Sequence, residues 1–203
     1  MNRTEIKKIK GSWREVVDNC RATVGKGELG KDPSPLFKQN ILISEHSPIR
    51  SISVVWQWPE IKSWIATHWA RHKWECFIRT QRTDRTGVNR DELPQSAPVS
   101  FTGEANVQAL IDTMRKRLCC MAAKETREYA EDFKATLADS EPEIASVLVP
   151  NCVYRCGCPE PDGCPQWNMF VAWCKSTHLV HPGNVSLQER YQFYNEWFML
   201  LGK

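Results

Sequence analysis

Residues 71–90, within "HWARHKWECFIRTQRTDRTGVNR", gather six cations (Arg71, Lys73, Arg79, Arg82, Arg85 and Arg90) against only Glu75 and Asp84. The local excess is four positive charges, whereas the whole chain carries +3. Arginine suits phosphate because its planar fork donates two parallel hydrogen bonds. Concentrated charge of this kind favours a nucleotide over a polymer as the anion. The bland alternative is a solvated cationic face in which Arg71, His72 and Lys73 complement the negative end of a helix. A second group is "NCVYRCGCPEPDGC", which spaces Cys152, Cys156, Cys158 and Cys164 as C-x3-C-x-C-x5-C. Four thiols with Gly157, Pro159, Pro161 and Gly163 to turn the backbone could wrap a tetrahedral zinc. A metal would also explain how so polar a segment orders itself. Ordinary free thiols, or an iron–sulfur or redox role, are the alternatives, and Cys174, His178 and His181 are spare candidate ligands. No Ser-His-Asp or Cys-His pair stands in a convincing context.

These groups need a scaffold, and 203 residues supply one domain, or one domain with an appendage. No stretch approaches the roughly 20 apolar residues that span a bilayer. The start "MNRTEIKKIKGSWREVV" has no apolar signal region, and the nine cysteines are an odd number, so reduced thiols and a cytoplasmic location are expected. The nine tryptophans are unusual. Trp56, Trp64 and Trp69 either pack a core or subunit interface or stack on flat rings.

The elements read as follows. A first helix covers 12–24, and "GKGELGKDPSPL" is a loop. "SISVVWQW" (51–58) has strand composition, with a helix expected from Pro59 through "PEIKSWIATHWARH". "WECFI" is a short strand or turn, and 81–103 a long surface loop. The longest helical signal spans 104–138, which would put Cys119 and Cys120 in a helix as core fillers. A helix begins at Ser140 and ends at Pro150, and two amphipathic helices, "QWNMFVAWCKST" and "SLQERYQFYNEWFMLL", close the chain. The expected class is α+β, helix-dominated with a small, mainly antiparallel sheet.

Four pieces in order, "EHSPIRSISVVWQW", "HWARHK", "CFIRTQRTDR" and "EIASVLVP", resemble the signatures of the flavin-dependent thymidylate synthases. That family has a Ser-Pro-x-Glu-His piece before a strand and a helix ending in Gln-x-x-Arg-His-Arg. Ser-x-Asn-Glu-x-Ser-x-Arg-Tyr and Glu-x-Ala-Arg-x-x-Leu-Pro follow. The resemblance runs from about Cys20 to Pro150. It makes 1–150 the family-like domain and 151–203 a Cys-rich segment with terminal helices packed on it. The departures are specific. Arg50 stands for Glu, Ser51 for His, His68 for Gln, Lys73 for the third cation and Ser146 for Arg, while Cys76, Ile78, Arg79 and Gln81 fall on Ser, Asn, Glu and Ser.

The resemblance implies a homotetramer with active sites between chains, FAD as cofactor, and reductive methylation of dUMP, or a related pyrimidine deoxynucleotide, from methylenetetrahydrofolate with NADPH. It implies catalytic Arg71 and His72, and a cofactor site of His46, Ser47, Arg50, Arg71, His72 and Lys73. His68, Arg79, Gln81, Arg82 and Arg85 would form the nucleotide site. Two alternatives stay open. One is a family member that has lost catalysis. The other is a zinc-stabilised module gripping nucleic acid with Trp74, Phe77, Arg79, Arg82 and Arg85.

Overall fold

The computed structural model describes residues 3–201. It is α+β, with one small antiparallel sheet and, among the described residues, ten α-helices. The strands are β1 (Glu5–Lys10), β2 (Ser53–Lys62), β3 (Glu75–Ile78) and β4 (Pro98–Asn106), in the order β1-β2-β4-β3. The helices are α1 (Trp13–Ala22), α2 (Pro35–Ile43), α3 (Ser63–Ala70), α4 (Thr83–Thr86), α5 (Val107–Arg117), α6 (Lys124–Ala138), α7 (Pro142–Ser146), α8 (Asn151–Arg155), α9 (Pro165–Thr177) and α10 (Leu187–Leu201). The chain forms two compact units. One comprises residues 1–33 and 47–109, the other 34–46 and 110–203, so α5 begins in the first and continues in the second. Residues 110–150 and 151–203 thus share a unit.

In the first unit the sheet follows the period-two rule. Val54, Trp56 and Trp58 of β2 and Val99, Phe101, Gly103 and Ala105 of β4 are buried, with less buried residues between them. Trp56 lies opposite Gly103, and a Cβ at 103 would stand 2.3 Å from the indole. Only glycine leaves room there. The indole Nε1 of Trp58 donates to Thr4 Oγ1 at 2.8 Å, which satisfies its polar edge inside the core. α1 starts at a complete capping box between Ser12 and Glu15.

Three expectations are corrected here. Pro59 does not open a helix: β2 continues to Lys62 through a register shift between Trp58 and Ile61. A bulge is one of the few places a strand tolerates proline, and it returns Ile61 to the buried face. Most of 81–103 is not a structureless loop. It holds α4, closed by Gly87 in the left-handed region, a 3-10 turn (Arg90–Glu92), and the start of β4. The 104–138 signal is not one helix. Its first residues finish β4, Asn106 Oδ1 accepts from Ala109 N at 3.0 Å to open α5, and a turn over 118–123 separates α5 from α6. In that turn the Gln166 side chain accepts from Cys120 N and donates to Leu118 O, taking two groups a continuous helix would have paired internally. Cys119 and Cys120 therefore lie in a turn, half-buried. β1 and α2 carried no expectation at all.

The second unit packs α6 on α7, α2 on α7, and α10 on α7, α8 and α9. Its interior holds Phe133, Leu137, Ile144, Leu148, Phe170 and Tyr194. α2 ends in a Schellman motif: Glu45 N donates to Leu42 O and His46 N to Ile41 O. The left-handed position is filled by Glu45 (φ 51), not glycine, at a strain of order 1 kcal/mol. Its carboxylate pairs with the buried Arg115, whose guanidinium also lies 3.6 Å from the centre of the Tyr154 ring. Lys134 is buried, donating to Ala145 O and Asn195 Oδ1 at 2.6 Å each. Burial lowers its pKa to about 7.

Two predictions follow from these packing facts. Gly103→Ala should cost about 1 to 3 kcal/mol, a fall of roughly 2 to 12 °C in melting temperature, because the new methyl overlaps the Trp56 ring. Gly27→Ala, with open space around it, should leave the melting temperature within about 2 °C. For Lys134, the unfolded side chain titrates near 10.4. Between about pH 7 and 10 the unfolded chain therefore holds the extra proton, and this residue's contribution to stability rises with pH. Denaturant unfolding of the native chain and of Lys134→Met at pH 7, 8 and 9 should show the native chain gaining on the variant at each step. Taking the difference cancels the buried phenols and thiols, whose raised pKa values act in the opposite sense.

Candidate functional site

The corner implied by "HWARHK" sits where α3 ends. The first amides of α3 are met by backbone, Ser63 N donating to Ala97 O and Trp64 N to Gln95 O, so the helix starts without a side-chain cap. Its last buried side chain, Trp69, packs 4.9 Å from the Trp58 ring centroid to centroid. The Trp69 carbonyl then takes the Arg71 amide, the His72 amide (3.3 Å) and the Trp74 indole Nε1 (2.9 Å). This convergence folds Trp74 back so that it stacks on Trp69 (5.8 Å, interplanar angle 17°) and meets Trp56 edge-on at 5.0 Å. His72 is half-buried against Trp74 at 5.1 Å.

Arg71 and Lys73 are exposed, and among the described residues neither makes an ion pair. Trp56, Trp58 and Trp69 have 0 % of their surface exposed. They are core, and of the three tryptophans read as core or ring-stacking, Trp64 alone is half-buried, with its ring on His68 at 5.4 Å.

The basic tail divides into paired and unpaired cations. Arg79 is exposed just beyond β3, anchored by its amide to Ser100 O at 2.9 Å, and its guanidinium has no ion-pair partner among the described residues. Gln81 Oε1 accepts from Ser63 Oγ at 3.4 Å, which brings the segment back to the start of α3. Arg82 is committed: its Nε and a terminal nitrogen donate to the two oxygens of Asp84 at 2.9 and 2.7 Å. Arg85 lies 3.7 Å from the same carboxylate. Phe77, on the edge strand β3, is 68 % exposed.

Ser47 and Arg50 lie in a 3-10 turn (Ser47–Ser51), both exposed, and Ser51 Oγ accepts from Asn19 Nδ2 at 2.7 Å. His46 belongs to the second unit, where its amide closes α2 and its side chain is exposed. Within the first unit, then, Arg71, His72 and Lys73 cluster at the end of α3, and His68 lies one turn before them.

The cysteines regroup. Cys152 sits in the first turn of α8, and Cys164 is the residue that precedes α9. Burial is the main force raising the Cys158 thiol, and the neighbouring Cys164 adds to it. Cys119, which sequence reasoning placed inside a helix, joins them instead: Cys164 and Cys158 both act on it electrostatically, and so does Glu160. Burial is the main force pushing the Cys119 and Cys152 thiols up, with the neighbouring sulfurs adding to it. Cys156 turns elsewhere, in the left-handed region at the end of α8, with its sulfur beside Gly183 and His181. Among the described residues no group of three or more His, Cys, Asp or Glu is arranged to hold a metal ion. The sequence signal for Cys119 was only its neighbour Cys120, because the contact is made by chain segments about 40 residues apart.

No family model matches the chain, and no curated protein matches it. Among solved structures, the chain is similar to a UMP/dUMP methylase, PolB from Streptomyces cacaoi, whose crystal structure is bound with 5-Br dUMP. The TM-score is 0.56 at 14 % identity, and the match covers 71 % of this chain and 93 % of that one. At this identity the likeness is one of fold, which does not by itself carry function. No helix among the described residues is long and apolar enough to cross a membrane.

The sorting of the cations has a direct test. Asp84→Asn should free the Arg82 fork and strengthen binding of inorganic phosphate, read by isothermal titration calorimetry at low salt. Arg82→Ala in the native background should change phosphate affinity by less than about threefold, since that guanidinium is already engaged.

Proposed function

We propose that this protein binds a pyrimidine nucleotide at the end of α3 and methylates it, as a divergent relative of the flavin-dependent thymidylate synthases. The observation that carries the reading is a conjunction. A fold like that of a UMP/dUMP methylase presents unpaired Arg71 and Lys73 beside the half-buried His72, where the sequence resembles that family's Arg-His-Arg segment. The substrate in this reading is dUMP or a close relative, with methylenetetrahydrofolate as carbon donor and NADPH as reductant. The active form is a homotetramer, in keeping with the family the sequence resembles.

The residues present fit the phosphates of FAD: Arg50, Arg71 and Lys73 are exposed cations without an ion-pair partner among the described residues. Charge-assisted bonds from such groups to phosphate are the strong kind. The aromatic core offers no wholly buried indole to a flavin ring, because Trp56, Trp58 and Trp69 are spent on packing. When bound, FAD would supply the hydride chemistry that protein side chains lack. The chain's own residues do the positioning. Arg71 and Lys73 hold an anionic group at the rim of the aromatic cluster, and the His72 ring is held between that rim and Trp74. Arg79 supplies a second unpaired cation class for the nucleotide phosphate, which Arg82 does not while Asp84 holds it.

The test is binding and turnover on the same preparation. Equilibrium dialysis with dUMP should show affinity reduced about 10- to 100-fold in Arg71→Ala and in Lys73→Ala, the loss of one charge-assisted contact each. Thymidylate should form from dUMP only when FAD, NADPH and methylenetetrahydrofolate are all supplied. Unchanged dUMP affinity in both variants, or no FAD binding by absorption spectroscopy, would sink this reading.

A further inference from the structure

The sheet ends on β1 at one side and on β3 at the other, and the two edges differ. β1 is blunted: Lys7, Lys8 and Lys10 are exposed along it, and its register with β2 shifts between Ile6 and Lys8. Lysines and bulges are among the devices that stop an edge strand from pairing with another chain. β3 has neither. It holds no lysine or proline, its register with β4 is unbroken from Glu75 to Ile78, and among the described residues no strand borders its other side. Phe77 and Ile78 are exposed on it. The ladder shows which of its backbone groups are open. Arg79 N donates to Ser100 O at 2.9 Å, which makes 79 and 100 a hydrogen-bonded pair. Such pairs alternate in an antiparallel ladder, so Phe77 with Thr102 and Glu75 with Glu104 are bonded pairs as well. The N–H and C=O of Cys76 and Ile78 therefore point away from β4, along the open edge. The phase agrees on the other side of β4, where Val107 N donates to Ile52 O and the odd-numbered residues bond to β2.

The side chains on this edge are self-complementary. Glu75, Phe77 and Arg79 alternate onto one face of the sheet, and neither Glu75 nor Arg79 makes an ion pair among the described residues. An acid, an aromatic ring and a base in that order match the same run read in reverse. We infer that β3 docks on β3 of a second copy of this chain, antiparallel about a two-fold axis at Phe77, so that the sheet continues from one copy into the other. In that register Cys76 of each copy exchanges both backbone hydrogen bonds with Ile78 of the other, Phe77 meets Phe77, and Glu75 meets Arg79 at each end. The phenylalanine and charge pairs are the non-hydrogen-bonded ones, whose Cα atoms stand closest, at about 4.5 Å, where cross-strand side chains interact most directly. Moving the axis to Cys76 would set Glu75 against Phe77 and lose both ion pairs. So short an edge gives few backbone bonds, and the side chains therefore decide the partner. An unrelated strand would have to carry a base, a ring and an acid at alternate positions to match it. An interface in which one surface meets itself closes at two copies and leaves no β3 edge open.

Arg79 is open to a nucleotide phosphate only while this edge is unpaired, and the dimer leaves that contact to Arg71 and Lys73. The inference does not rest on the nucleotide reading, so either can fail alone: the binding test above turns on Arg71 and Lys73, and the test here on Glu75, Phe77 and Arg79. Analytical ultracentrifugation of the full chain under reducing conditions should show a dimer, or a tetramer built from two, and Phe77→Asp should halve the mass of either. Each charge pair occurs twice in a symmetric interface. Glu75→Arg alone and Arg79→Glu alone therefore set like charges opposite one another at both ends, and each should weaken association at least about tenfold. The two substitutions together restore opposite charges and should recover the native association, which a misfolded chain would not. Hydrogen exchange read by NMR at single residues locates the contact. The Cys76 and Ile78 amides should exchange slowly in the native chain and fast in Phe77→Asp, while the Phe77 and Arg79 amides of the native chain, bonded to β4, stay slow at every concentration. A monomeric native chain would overturn the inference. So would association unchanged in all three single variants, a double variant that associates no better than the single ones, or fast exchange at Cys76 and Ile78 in the native assembly.

Discussion

The first unit depends on one steric allowance: position 103 has no side chain, so the Trp56 indole can lie flat across β4. With that ring in place, Trp58 and Phe101 pack at 5.1 Å and Trp58 and Trp69 at 4.9 Å, so that three indoles and a phenyl ring form one dry block. Burying several aromatic side chains of this size is worth several kcal/mol, more than any surface ion pair in the chain. The consequence for the site is positional. Trp69 is both a member of the block and nearly the last residue of α3, so the helix end is fixed by the core. The cations that follow it are displayed on a rigid base, which is what a binding site for a small anion needs.

Parts of this were legible in the sequence and parts were not. The alternation in "SISVVWQW", the first helix and the two final amphipathic helices came through, because each has a strong local period or cap, whereas "WECFI" read equally as a strand or a turn and pairing with β4 makes it a strand. The run of cations at the end of α3 was legible for the same reason, since a helix followed by Arg-His-Lys shows its own boundary. What failed were places where distant chain settles a local ambiguity. Pro59 is a good helix opener in isolation, and only pairing with β4 makes it a bulge residue. Residues 104–138 have helical composition throughout, yet β2 claims the start of the run and Gln166 interrupts its middle. Glu45 gives no sequence sign of a left-handed turn, because its compensation comes from Arg115, 70 residues on.

The same lesson applies to charge. In the sequence Arg79, Arg82 and Arg85 are equivalent members of one basic run. In the fold, a single carboxylate two residues from Arg82 takes its whole fork and shares Arg85, while Arg79 is left to solvent. Net charge over a window therefore overstated the cations available to a ligand, and the pairing geometry identifies which remain. The effect is local and cheap, since exposed ion pairs of this kind contribute little to stability. Its influence is on which guanidinium can meet a phosphate.

The cysteine-rich segment shows how protein groups order a polar stretch rich in glycine and proline. In the sequence, a metal is one explanation of how a polar stretch full of glycine and proline orders itself. The buried Arg190 removes part of that need. Its guanidinium donates to Val153 O at 2.7 Å, Pro182 O at 3.2 Å and Tyr154 O at 3.3 Å, which are carbonyls at the end of α8 and in the turn before α10. A buried arginine with three carbonyl acceptors is well satisfied and fixes the chain on both sides of it. α8 is thus held without any ion. What Arg190 does not reach is the loop from Cys156 to Cys164, which has its own turn at Gly163 and few hydrogen bonds to the rest of the unit. The loop is thus the part of the segment that protein contacts hold least, whereas α8 is fixed through the carbonyls of Val153 and Tyr154.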